Sequence, residues 1–211
     1  MPGNIDGIDI LRASITLPRI GVWWADVELD TSESIIGNVE IRYENWSLAG
    51  TIASGGESVF GRTRMRIVGG RGCLGLNVSA KAYRGVPMRI PIVDSATEAG
   101  ETVSPTARWG LSILLTSWLR IQSPASQAIG MLARKGGFAW RFLPDGTFWF
   151  GDDPWNETTI DHETMNRIPA EDAVFIATDD LILPGSVFLG RRVERVEMTP
   201  HESRSKVWFQ P

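Results

Sequence analysis

Residues 123–151 read SPASQAIGMLARKGGFAWRFLPDGTFWFG, the sequence of one helix followed by one β-hairpin. Ser123 is a good N-cap and Pro124 suits the first helical position, so the helix is expected to begin there. Apolar residues then recur at helical spacing until two glycines predict the helix end. The aromatic segments that follow flank Asp145 and Gly146, a pair typical of a tight hairpin turn.

The chain before this stretch alternates apolar and polar residues with a period of two, as strands with one solvated face do. Trp23 and Trp24 are therefore expected on opposite faces of their strand. Pro91 suggests that the last of these strands lies at an edge or contains a bulge. Short strands separated by glycines at this spacing indicate a barrel or a sandwich. The segments are residues 22–29, 37–43, 62–67 and 88–93.

Alternating segments return after the hairpin, with a slip in the period at Glu194. Residues 108–122 are dense in apolar side chains, which predicts burial and leaves helix and strand both open. The sequence thus predicts a mainly β fold with one or two helices and two tube-like β-barrel or sandwich domains. The later strand segments are residues 173–177, 191–198 and 206–209, and the expected division is an N-terminal β domain at 1–96, a linker at 97–107 and a C-terminal β domain with one helix at 108–211.

The composition is that of a globular chain, with 43% hydrophobic and 22% charged residues among 211. A formal net charge of -4 argues against a general nucleic-acid binder, which would show a basic face. The single cysteine, Cys73, excludes an intramolecular disulfide and a cysteine metal cluster. No secretory signal is visible, and the longest apolar stretch is too short to span a bilayer. We therefore expect a soluble protein without membrane insertion.

Motifs for catalysis or cofactor binding are weak. The segment GRGCLG at residues 70–75 matches a dinucleotide fingerprint, but strand-like residues follow where a helix would be needed, so a glycine-rich turn is expected. His162 and His201 are the only histidines, which excludes a site with several histidine ligands. Asp161, His162 and Glu163, with Asp152 and Asp153 upstream, could form a carboxylate-rich metal site. This site is weighed against a solvated loop, and the loop is favoured. No catalytic, cofactor-binding or metal-binding residue is predicted, and no nucleophile elbow is present.

Acidic residues near tryptophans suggest one function that involves a ligand. Asp152, Asp153 and Glu157 lie close in sequence to Trp149 and Trp155, as in sites that bind or cleave sugars. The alternative function is therefore a carbohydrate-binding or glycan-cleaving β module.

Two stretches resemble the tail-hub proteins of phage tails, the late-control or baseplate-hub family. One is the helix and aromatic hairpin at residues 126–150. The other is LPGSVFLGRRVERVEMTPH at residues 183–201, with a Pro-Gly turn, two short strands and a strand that ends near a histidine. Both are patterns of turns and apolar positions, and neither is a catalytic signature.

The resemblance implies a structural, non-enzymatic role. Hub proteins of this type form trimers in which two tube-like domains per subunit make a pseudo-sixfold ring that joins the tail tube to the spike. For this chain it implies a homotrimer in the virion tail baseplate, assembled in the host bacterial cytoplasm, without a cofactor. The implied partners are the tail tube protein, the central spike protein and other baseplate proteins, with DNA only passing through a lumen. Many hub proteins are longer, so further domains are either absent or supplied by another chain.

Large aromatic side chains and arginines are the expected interface residues, because such residues anchor many protein interfaces. A solvated strand face is the alternative for the three arginines. The set consists of Trp23, Trp24, Trp140, Trp149, Trp155, Arg191, Arg192 and Arg195.

Overall fold

The computed structural model describes residues 3–107 and 113–211 of the chain. The first part contains strands β1 (Asn4–Ile5), β2 (Ile8–Pro18), β3 (Trp24–Leu29), β4 (Asn38–Arg42), β5 (Ser47–Val59), β6 (Arg62–Gly69), β7 (Asn77–Val78) and β8 (Lys81–Pro87), followed by helix α1 (Arg89–Ala99). The second part contains β9 (Leu114–Arg120), β10 (Ser123–Pro124), helix α2 (Ala125–Gly136), β11 (Ala139–Phe142), β12 (Phe148–Gly151), β13 (Glu163–Ile168), β14 (Ala173–Ala177), β15 (Val187–Phe188), β16 (Arg191–Thr199) and β17 (Arg204–Phe209). The predicted mainly β fold with two helices is confirmed.

Six strands close into a barrel in the order β1-β4-β5-β6-β3-β2, because β1 pairs with both β4 and β2. The period-two pattern directs one apolar row inward, and Ile15, Ala25 and Ile67 are fully buried there. Burying one large apolar side chain of this kind stabilises a fold by about 2 kcal/mol. On the outer face Asp26 and Arg66 pair across the strands at 2.7 Å. Closure removes the free strand edges within the ring.

The barrel continues into a second group of strands. β2 also pairs with β16, and the sheet then extends through β17 and β14 to β13. The predicted slip at Glu194 is confirmed, since the register between β16 and β17 shifts between Val193 and Arg195. The two predicted halves therefore share one sheet, and α1 extends into the first residues of the expected linker. The division of the chain into two domains stays a prediction.

The helix and hairpin of the opening stretch are confirmed, with one correction at the helix start. α2 begins at Ala125 with Pro124 as its N-cap, and Ser123 does not cap it. The reason is that Ser123 and Pro124 pair with Val78 and Asn77 and are held extended. No described helix is both long and apolar enough to cross a membrane.

The hairpin turn uses its residues as the sequence predicts. The N–H of Gly146 donates to the carbonyl of Leu143 at 2.9 Å, and Gly146 has a φ of 76° that favours glycine. The carboxylate of Asp145 accepts from the N–H of Thr147 at 2.9 Å. Four residue pairs between β11 and β12 follow, including Trp140 with Phe150.

Residues 88–93 form the start of α1, so their prediction as a strand is wrong. Pro91 is the third residue of this helix. The N–H groups of a first helical turn have no partner within the helix, so a proline is tolerated there. The apolar run around it is buried against the core, with Ile92 fully buried.

Strands β7 and β8 pair with β10 and β9 in one unbroken register, which forms a two-stranded ribbon of residues 77–87 and 114–124. One face of this ribbon packs on α1, where Tyr83 donates to Asp94 at 3.1 Å. The prediction of burial for residues 108–122 is wrong at Leu114 and Leu119, which are 63% and 64% exposed. A two-stranded ribbon that packs on one helix leaves much of its surface in solvent, and only Leu115 and Arg120 of β9 are buried. Residues 108–112 of that segment lie outside the described part of the chain.

Candidate assembly surfaces

Four charged side chains hold the barrel to the C-terminal sheet. Arg19 follows β2 and donates to Glu194 at 2.6 Å and to Asp153 at 2.9 Å. Arg141 in β11 donates to the other oxygen of Asp153 at 2.6 Å. The bulge at Glu194 aids this contact, because its carbonyl also accepts the N–H of Arg19 at 2.8 Å. The cluster ties three segments that are far apart in sequence.

Burial and ion pairing act in opposite directions at the two arginines of this cluster. Burial lowers the pKa of Arg141, and its pair with Asp153 opposes that effect. Burial alone would lower the pKa of Arg19 as well, but its hydrogen bonds to Asp153 and Glu194 raise that pKa overall. The guanidinium of Arg141 also lies 4.3 Å from the ring centroid of Trp149. These contacts give the cluster a structural role.

The five predicted interface tryptophans lie in different environments. Trp23, Trp140 and Trp149 are only 2%, 7% and 5% exposed, so their surface is taken up by contacts within the chain. Trp24 is 37% exposed on the opposite face of its strand, as expected, and Trp155 is half-buried. A partner could therefore reach Trp24 and Trp155. Whether it does so stays a prediction.

Trp23 fits its site because two glycines approach its ring. A side chain at Gly69 would come within 2.6 Å of the indole Nε1, and one at Gly50 within 2.8 Å of the six-membered ring. The indole N–H has no hydrogen-bond partner among the described residues. Trp149, in contrast, donates its indole N–H to the carbonyl of Thr106 at 3.1 Å.

The three predicted arginines of β16 each lie over an aromatic ring. Arg191, Arg192 and Arg195 lie 4.5, 4.7 and 3.9 Å from the ring centroids of Phe209, Trp155 and Trp208. They are partly or well exposed. A guanidinium group is attracted electrostatically to the face of an aromatic ring, and both arginine and aromatic residues are enriched at protein interfaces.

Sequence reasoning missed the neighbours that complete this face. Lys206 lies 4.4 Å from the centroid of Trp208 and 5.3 Å from that of Phe175, on the side of β17 opposite to the buried Val207. The alternation of β17 contains the signal, since Lys206 and Trp208 share one face. The face is half-buried, rich in aromatic and cationic groups, and suited to a protein contact.

The loop that suggested a metal or sugar site is arranged differently. Asp153 has a side chain only 2% exposed and both of its oxygens bind arginines. The Nδ1–H of His162 donates to the carbonyl of Ile160 at 3.1 Å, and the ring packs edge-on against Phe188. No group of three or more metal-ligating residues occurs within the described part of the chain. A sugar site would need free carboxylates beside an open ring, and neither Asp153 nor the buried Trp149 offers this. Asp152 and Glu157 are exposed and Trp155 is half-buried, so a sugar site at these three residues stays a prediction.

The glycine-rich segment at residues 70–75 is a turn whose N–H groups bind an internal carboxylate. Glu101 accepts from the N–H of Arg71 at 2.9 Å and from that of Cys73 at 2.7 Å. Glu101 is 5% exposed. A short 3-10 turn at Cys73–Gly75 follows in place of the helix that a dinucleotide site needs.

Among the described strands of six or more residues, β8, β9 and β13 each have one side without a strand partner. β8 contains Gly85 and Pro87, which disfavour regular pairing along its edge. β13 is guarded by a bulge at Met165 and by the charges of Glu163 and Arg167, features that limit edge pairing. β9 has no proline or glycine, and its one charge, on Arg120, is fully buried. An exposed apolar edge of this kind is a site where another chain can pair.

Solved structures share this fold, although no family model and no curated protein matches the sequence. The Escherichia coli c3393 protein is a component of the type VI secretion system with structural similarity to the bacteriophage T4 tail proteins gp27 and gp5. It matches with a TM-score of 0.72 and 11% identity, over 100% of this chain and 77% of that chain.

Two tail proteins match as well. One from Neisseria meningitidis has a TM-score of 0.65 and 11% identity, over 98% of this chain and 94% of that chain. The 43 kDa tail protein of prophage MuSo2 from Shewanella oneidensis has a TM-score of 0.60 and 9% identity, over 74% of this chain and 55% of that chain. Likeness at these identities shows the fold alone, and at that level the resemblance to phage tail-hub proteins is confirmed.

Proposed function

We propose that this chain is a structural subunit of a phage tail baseplate hub, which joins the tail tube to the central spike by assembling into a ring. The observation that carries the proposal is the match of the whole chain, barrel and C-terminal sheet together, to c3393. A homotrimer in the virion baseplate, in contact with tube, spike and other baseplate proteins, is part of the proposal.

The proposed mechanism is geometric. The closed barrel provides a rigid unit, and the sheet that continues from β2 into β16 fixes the position of the C-terminal strands relative to it. Unpaired strand edges and the aromatic–cation face of β16 and β17 are then available to neighbouring subunits. Contacts between different faces of identical subunits generate a ring when the rotation closes.

A non-enzymatic role fits the way in which the acidic loop is used. Asp153 holds Arg19 and Arg141 in the junction, so its carboxylate contributes to the fold. DNA passage through a lumen requires weak contact, and the formal net charge of -4 agrees with a surface that does not grip phosphates.

Electron microscopy of the purified, cross-linked assembly tests the proposal. We expect rings with a central opening and threefold or pseudo-sixfold symmetry. Open chains of variable length, or compact particles without an opening, would argue against a hub.

A further inference from the structure

We propose that copies of this chain associate head to tail, with the ribbon of one copy docked on the β13 edge of the next through complementary charge. The inference rests on the proposed ring assembly and names the two surfaces that form it. One surface is a basic patch, defined as Arg84, Arg134 and Lys135. The other is an acidic groove, defined as Asp161, Glu163, Asp179 and Asp180.

The basic patch lies at one end of the ribbon. Arg134 and Lys135 are exposed in the last turn of α2. A side chain on the neighbouring Gly136 would come within 3.0 Å of the sulfur of Met88, so this turn lies beside the end of β8. The exposed Arg84 precedes that end by about 10 Å of strand. None of the three cations takes part in an ion pair with a described residue.

The acidic groove lies where β13 begins. A groove of about 480 Å³ is lined by its four acidic residues together with uncharged and histidine neighbours. None of the four carboxylates takes part in an ion pair with a described residue, whereas most other acids near the C-terminal strands do. A row of acids without counter-charges is complementary to a basic patch on another molecule.

Apolar side chains lie beside both charged surfaces. Leu114 and Leu119, which are 63% and 64% exposed, lie on the unguarded β9 of the ribbon. Met165 is 58% exposed at the bulge of β13, two residues after Glu163. Each surface thus combines an exposed apolar group with a single sign of charge, so the contact depends on side chains and does not require pairing along the guarded edge of β13.

A second copy of the chain is the occupant that these features favour. The two surfaces are opposite in charge and belong to different elements, so each molecule carries both halves of the contact. Such a heterologous contact propagates from copy to copy and forms the ring of the proposed hub when the rotation between copies closes. Two identical basic patches, in contrast, would repel each other.

Charge reversal tests the contact in the full chain. One variant combines Asp161→Lys, Glu163→Lys and Asp179→Lys, which gives the groove a net positive charge. The other combines Arg84→Glu, Arg134→Glu and Lys135→Glu, which gives the patch a net negative charge. All six positions are exposed. Sedimentation velocity over a concentration series should show self-association of each variant weakened by about a hundredfold, because like charges then face each other. The same threefold reversal at the exposed positions Asp30, Glu33 and Glu57 serves as the matched control and should leave association unchanged.

A chain with all six reversals decides the question. It has the formal net charge of the original chain, -4, and its two surfaces are complementary again. We expect its self-association to return to within about threefold of the original, and addition of salt should weaken both proteins alike. Original chains that associate while every reversal has no effect, or a sixfold variant that stays dissociated like its parents, would overturn the proposed contact and leave ring assembly standing. An original chain that never associates would overturn both.

Discussion

Replacement of Asp153 by Asn should destabilise the protein strongly, because its carboxylate is the centre of the junction cluster. The side chain is 2% exposed and lies 2.9 Å from Arg19 and 2.6 Å from Arg141. An amide has nearly the same shape but no charge, so two largely buried guanidiniums would lose their counter-charge.

The magnitude follows from the burial of the partners. Removing one member of a buried ion pair costs about 3–5 kcal/mol. The amide oxygen still accepts one hydrogen bond and Arg19 keeps Glu194, so we expect the lower end, about 3 kcal/mol. For a chain of this size that corresponds to a fall in Tm of about 6–12 °C.

Equilibrium unfolding in urea measures this difference, and Asp152→Asn is the matched control. Asp152 is the exposed neighbour and makes no ion pair with a described residue, so its replacement should change the free energy of unfolding by less than about 0.5 kcal/mol. Equal, small effects of the two substitutions would refute the structural role of Asp153. Such effects would mean that the Asp153 carboxylate is free to act as an acid in a binding or catalytic site.

Three further perturbations have defined outcomes. A backbone hydrogen bond from Ser79 and the fully buried Arg120 lower the pKa of Glu98 below 4.5, so the free energy of unfolding should fall as pH drops through that pKa. In unfolding titrations Glu98→Gln should lose less stability at acid pH than the original chain, and parallel curves would contradict this. Burial raises the pKa of Tyr43 and of Tyr83 to about 12, so near-UV absorbance should show no phenolate near pH 10, and the free energy of unfolding should fall from about pH 10 upward. A phenolate titration with its midpoint near pH 10 would argue against their burial. Phe60 has a φ of 54° and is fully exposed at the tip of the β5–β6 hairpin. Asparagine adopts this left-handed conformation more readily, so Phe60→Asn should stabilise the chain by about 1 kcal/mol in thermal unfolding. A loss of stability would show that the phenylalanine ring makes a contact in the folded state.

Local pattern was sufficient for much of the fold. The alternation of residues 22–29, 37–43 and 62–67 corresponds to β3, β4 and β6, because each strand has one buried and one solvated face. The slip at Glu194 and the turn at Asp145 were also visible, since a bulge and a turn leave a local signature.

Other elements were hidden by local irregularity. β2, which links the barrel to the C-terminal sheet, has a bulge between Ile10 and Arg12 that shifts its period-two pattern. α1 has a proline and β-branched residues in its first turn, which a period-based reading takes for a strand. In both cases tertiary packing outweighs the local pattern.

The candidate surfaces depend on long-range pairing and were only partly predictable. Arg191, Arg192 and Arg195 were placed on a strand correctly, but their aromatic partners include Trp208 on another strand. The pairing of Arg19 with Asp153 joins residues 134 positions apart, and no local pattern indicates it. The ribbon was equally hard to predict, because α1 separates its two strands in the sequence and only their long-range pairing brings them together.

The native mass of the purified chain across a concentration series tests the central claim most directly. Ring assembly predicts a trimer, or a larger closed multiple of it, that forms at a defined concentration and does not grow further. A strict monomer over the whole series, or a ladder of ever larger species, would contradict it.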